Sequence, residues 1–89
     1  PAAGPPQAFG WAYSWPVRGV RPGTPVLFWN RLQHTKGHVT IDYGDGWPAP
    51  VIEQDAWYTY RVPGVYTVTL QGHGSYGEPV MAKVCVVVV

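Results

Sequence analysis

Residues 42 to 47, DYGDGW, put two carboxylates, two glycines and a tryptophan side by side, and residues of those types suit one of two tasks. A calcium loop needs hard oxygen ligands, about six to eight of them, and a compact loop usually brings three or more carboxylates at alternating positions. Asp42 and Asp45 are only two, at i and i+3, and Glu53 and Asp55 join them only if the following loop folds back, which nothing in the spacing requires. A tight turn between strands needs less. Gly44 and Gly46 supply positive φ, Asp45 accepts a hydrogen bond from the backbone two residues on, and Asp42 satisfies free amides of the same turn. The expectation is a structural turn with no metal ligand.

The other reactive side chains do not assemble into a catalytic set. Glycoside hydrolysis needs two acids facing each other across a cleft. The five acids here (Asp42, Asp45, Glu53, Asp55, Glu78) fall mainly in turns of a chain too small to enclose such a groove. His34, His38 and His73 have no paired nucleophile and no zinc-type spacing, and are read as surface residues. Cys85, the only cysteine, excludes an internal disulfide and a four-thiolate zinc site; its place among valines suggests a buried, inert thiol. No catalytic residue, metal or cofactor is expected, and the chain is not read as an enzyme.

Composition narrows the partners. With 89 residues the chain makes one domain, and its net charge of +1 comes from six scattered Lys and Arg. No basic stripe suits a phosphate backbone, so nucleic acid is not expected. No apolar run reaches the length of a membrane-spanning helix, and VCVVVV near the end is far too short. The opening PAAGPPQ carries neither an initiator Met nor a signal-type segment, which suggests a processed piece of something longer. Five Trp and six Tyr against two Phe favour a strand-rich binding module.

The elements that must position these residues read as strands. After an extended, linker-like segment over 1–8, the domain occupies 9–89. Phe9, Trp11, Tyr13 and Trp15 recur at every second position, a strand with one aromatic face. Further strands are expected at 26–32, 38–43, 51–60, 65–72 and 80–89, with QHTKG, GDGWPAP, RVPG and HGSYGEP as turns. No segment shows a 3.6-residue apolar period with caps, so the fold class is all-β, an antiparallel sandwich or barrel.

Three stretches resemble, in order and at about the right spacing, the polycystic kidney disease (PKD) domain family: RPGTPVLF, VTIDYGDG and YTYRVPGVYTVTL, covering roughly residues 20 to 72. Ile41 stands where that family has a core Trp, and Tyr58 where it often has His. The resemblance implies an immunoglobulin-like antiparallel β-sandwich of about seven strands. It also implies a non-catalytic spacer, display or binding module, one bead among several, in an extracellular, cell-surface or virion-surface protein.

Strand parity then locates a binding face. If Val26 and Phe28 point inward, Leu27 and Trp29 point outward; if Tyr58 and Tyr60 point inward, Trp57 points outward, near Trp29 on one sheet. The aromatics of the first strand, Trp11 among them, point together either into the core or onto that same face. Trp47, held beside the turn by Pro48, is a separate candidate. The opposite sheet shows Thr40, Asp42, Thr67, Thr69, Gln71 and Lys83 to water, an ordinary wet surface. In the last strand, Lys83 outward implies Ala82, Val84, Val86 and Val88 inward, with Cys85, Val87 and Val89 outside, an edge that invites pairing. The expected function is protein contact, with neighbouring domains of the same parent chain, another protein or a second copy. The alternative is accessory carbohydrate binding, with polysaccharide stacked on Trp11, Trp29, Trp47 or Trp57.

Overall fold

The computed structural model describes residues 4, 6–16 and 18–89. Seven strands follow along the chain: β1 (Phe9–Trp15), β2 (Pro25–Gln33), β3 (Thr35–Asp42), β4 (Val51–Ile52), β5 (Asp55–Thr59), β6 (Gly64–Gly74) and β7 (Pro79–Val88). They form two antiparallel sheets, ordered β1-β2-β5 and β4-β3-β6-β7, and no helix occurs among the described residues. Placing the first, second and fifth strands in one sheet against the third, sixth and seventh is the immunoglobulin-like arrangement. Of the linker expected over 1–8, residues 1–3 and 5 lie outside the described residues; Ala8, assigned to it, is buried at the start of the packed domain.

Alternation builds the core. Val26 and Phe28 of β2 meet Val39 and Ile41 of β3, Val68 and Leu70 of β6, and Val86 and Val88 of β7 in one buried cluster, joined by Val20 from the segment after β1. Val20 bridges to Val88 in parallel and accepts a hydrogen bond from the Val89 amide, which ties that segment to the second sheet. Phe28, Ile41 and Leu70 are wholly buried, each contributing about 1.5–3 kcal/mol by leaving water. No buried polar or charged residue interrupts this interior among the described residues.

Three local expectations are corrected. QHTKG is not a turn: only His34, at φ 60°, separates β2 from β3, and Thr35 and Lys36 already pair with Gly74 and His73. The surplus residues are absorbed by a register irregularity between Lys36 and Thr40, where Gly37 takes positive φ. The stretch 51–60 is not one strand, because Ile52 is buried in one sheet while Asp55–Thr59 pairs with β2 in the other. Asn30 pins the crossing, its amide N–H donating to the Gln54 carbonyl at 2.7 Å and its side-chain Nδ2 to the Glu53 carbonyl at 2.8 Å. Lastly, the Cys85 thiol is exposed and not buried, since it shares the outer face of β7 with Lys83 and Val87.

The first strand takes its rings outward. Phe9, Trp11, Tyr13 and Trp15 are each about half exposed, while Gly10, Ala12 and Ser14 face in, and Ala12 packs on the core. Small inward residues let β1 lie against β7, and Gly10 is required there because it sits at φ 136° with the Arg31 carbonyl where a Cβ would go. Phe28→Ala should lower stability by about 3–5 kcal/mol in urea unfolding. Gly44→Ala should also destabilise, by about 1–3 kcal/mol, since Gly44 has φ 79° and a Cβ there would stand 2.5 Å from the Thr67 carbonyl oxygen. An unchanged unfolding midpoint in either variant would contradict this packing.

Candidate binding face and turn groove

The outer face of the β1-β2-β5 sheet is built by register. Tyr13 lies opposite Trp29 and Trp29 opposite Asp55; Trp15 lies opposite Leu27 and Leu27 opposite Trp57; Trp11 lies opposite Arg31. Directly opposed residues in such ladders stand about 4.5–5.5 Å apart, so these side chains form one continuous surface. Trp57 is 61% exposed, whereas Trp29, on the central strand, is flanked on both sides and half-buried. Neighbouring rings on β1 are not coplanar: Phe9 and Trp11 have centroids 6.5 Å apart and planes inclined by 48°. Arg31 and Asp55 approach at 3.9 Å within the face, and both remain well exposed, so the pair contributes little to stability.

A second feature lies at the turn. Asp42 accepts the Gly44 amide at 2.8 Å and Asp45 accepts the Trp47 amide at 3.4 Å, two Asx-type bonds that close DYGDGW on itself. The other oxygen of Asp45 accepts the Tyr58 hydroxyl. From there a row of rings runs inward: Tyr43 stacks on Tyr58 with centroids 3.7 Å apart, Tyr58 meets Tyr60 edge-on at 5.0 Å, and Tyr60 stacks on Tyr66 at 4.1 Å. Tyr60 donates to the Tyr43 carbonyl at 2.7 Å. Tyr66 donates to the Val62 carbonyl at 2.6 Å, four residues upstream, a tyrosine corner that fixes the RVPG turn. Between the turn and this row opens a groove of about 390 Å3 lined by Asp45, Trp47, Tyr58, Thr59, Arg61 and Tyr66.

These contacts move the phenols in one direction. The hydrogen bond to Asp45, followed by burial, pushes Tyr58 up to about 12. Burial first and the Asp45 charge second also raise Tyr43 and Tyr60. Asp45 therefore acts as an anchor, with both oxygens engaged. Among the described residues, no group of three or more His, Cys, Asp or Glu stands where it could hold a metal ion.

Of the four tryptophans singled out from the sequence, Trp11, Trp29 and Trp57 share the sheet face. Trp47 stands apart on the turn, 74% exposed, at the rim of the groove. Alternation alone leaves Phe9, Trp11, Tyr13 and Trp15 open between core and surface, and it does not find Arg61 or Tyr66 as neighbours of Trp47. The signal available for the first group was the Gly, Ala, Ser run between the rings, too small to be a solvent face by design and suited to close packing.

No family model matches the chain, and no curated protein does. A solved structure of carbohydrate-binding modules from the β-sandwich superfamily, described for their promiscuous specificity, is similar at a TM-score of 0.78 and 18% identity. The match covers 98% of this chain and 36% of that one. At that identity the likeness is one of fold, an all-β sandwich.

Two outcomes follow from the turn. Because its carboxylates are occupied by backbone and phenol donors, millimolar calcium and a chelator should give the same melting temperature; a rise of several degrees with calcium would make it a cation loop. The raised phenols favour the protonated form in the folded state, so their contribution is complete below the ordinary tyrosine value of 10.0 and is lost as pH climbs through about 12. Melting temperature should fall across that window, and less steeply in Tyr58→Phe; an equal slope in both proteins would show that Tyr58 is not so held.

Proposed function

We propose that this chain is a non-catalytic, PKD-like β-sandwich module whose work is protein contact, made through the outer face of β1-β2-β5. The observation that carries the reading is the grouping of Phe9, Trp11, Tyr13, Trp15, Trp29 and Trp57 on one sheet surface, most of them half exposed or more. Rings held in water at that density usually mark a contact site. Trp and Tyr with a central Arg are also the residues that dominate binding energy at protein interfaces. The inclination between Phe9 and Trp11 suits an uneven protein surface better than a flat sugar sheet. Kinship with PKD domains is supported by RPGTPVLF, VTIDYGDG and YTYRVPGVYTVTL in order, and by the Tyr66 corner within the last of them. A spacer or display role in an extracellular, cell-surface or virion-surface assembly belongs to the same reading.

Carbohydrate binding is the second reading. It is favoured by the description of the structural neighbour and by the same exposed rings, which could stack on sugar faces beside a catalytic domain elsewhere. Sedimentation over a concentration series, with tryptophan fluorescence during titration of soluble and insoluble polysaccharides, separates the two. Protein contact predicts self-association that Trp29→Ala and Trp57→Ala each weaken by about tenfold or more, and no glycan response that either substitution abolishes. A monomer at every concentration, saturating on a polysaccharide in a way that Trp29→Ala or Trp57→Ala abolishes, would reverse the order of the readings.

A further inference from the structure

We propose that the groove beside Trp47 is a separate binding site for a neutral sugar ring, held through a vicinal diol. Its volume of about 390 Å3 falls in the range of small-molecule sites, about 300–1,000 Å3. Trp47 forms one rim with 74% of its surface in water, yet the turn that carries it is tied down. Its amide is bound to Asp45, Pro48 follows it, and Gly44 is pressed against the Thr67 backbone. An exposed ring on a fixed backbone is a pre-organised stacking plate, since little entropy is lost when a ligand settles on it.

The polar lining selects the ligand class. Asp45 is oriented by Tyr58 and Trp47, and each carboxylate oxygen keeps a free lone pair after those bonds. Arg61, exposed in the lining, has no carboxylate partner within 4.0 Å among the described residues; the single ion pair among them joins Arg31 and Asp55. The groove therefore offers an acceptor and a set of donors at once. A phosphate or carboxylate would satisfy Arg61 and be repelled by Asp45. An ammonium would do the reverse, and an apolar group would strip water from both without replacing it. Adjacent hydroxyls of a pyranose each donate and accept, so one can give its proton to Asp45 while its neighbour accepts from Arg61. The ring's C–H face then lies on Trp47.

This site shares none of the exposed rings of the β1-β2-β5 face, so the two stand or fall separately. The test is NMR of the tryptophan indole N–H groups of the whole chain during titration with methyl glucoside, methyl galactoside and methyl mannoside. At least one should shift the Trp47 signal with a Kd of about 1–10 mM. Its analogue lacking one hydroxyl of the diol should bind at least about tenfold more weakly. Trp47→Ala and Arg61→Gln, both exposed and expected to melt like the parent, should each lose about tenfold, while Trp29→Ala should bind unchanged. No movement of the Trp47 signal with any of the three glycosides, shifts confined to Trp11, Trp29 and Trp57, or full affinity in Arg61→Gln would each overturn the proposal.

Discussion

The two sheets are joined by no covalent bridge, and on the side where β4 is only two residues long they are held together by stacked tyrosines. Tyr43 comes from the end of β3, Tyr58 and Tyr60 from β5 and the residue after it, and Tyr66 from β6, so one row of rings spans both sheets. Each ring adds apolar area to the core, and three send their hydroxyls to fixed acceptors: Tyr58 to Asp45, Tyr60 to the Tyr43 carbonyl and Tyr66 to the Val62 carbonyl. Buried hydroxyls with partners cost little, whereas a phenol left unpaired there would cost a desolvation penalty. The row consequently fixes the RVPG turn, the DYGDGW turn and the spacing of the sheets together.

The same aromatic wealth is divided by size of neighbour. On β1 the inward positions carry Gly10, Ala12 and Ser14, because that strand lies close over β7 and has no room for rings. The rings go to the outside and meet Trp29 and Trp57 across the ladder. A sandwich of this size could have used them as filling, but Phe28, Ile41, Leu70 and the tyrosine row already occupy the interior. What results is a domain with one aromatic outer face and an opposite sheet on which Asp42, Thr67, Gln71 and Lys83 meet water. That second surface turns apolar toward one end, at Val65, Val87 and Val89.

Much of this is legible in the sequence. Alternation at Val39 and Ile41, at Val68 and Leu70, and at Ala82, Val86 and Val88 is a local property, since successive residues of an extended chain must face opposite ways. The turn at Asp42 to Trp47 was legible for a similar reason: glycine's freedom at positive φ and the short reach of an Asp side chain act within two or three residues. Places where the chain changes partner were not legible. Continuous extended sequence at 51–60 conceals a crossing between sheets, and QHTKG conceals a β2 to β3 passage with a bulge, because polar residues suit a kinked strand as well as a loop.

The sequence by itself determined the all-β class, the strand parities and the closed carboxylate turn, each of which depends on interactions between residues a few positions apart. Only the tertiary structure decided that the rings of β1 face water and that Trp47 shares a groove with Arg61 and Tyr66. Parity says that two faces differ; which one is buried depends on what lies across from it. That is a matter of long-range packing in which β7, more than sixty residues later in the chain, decides the fate of the side chains on β1.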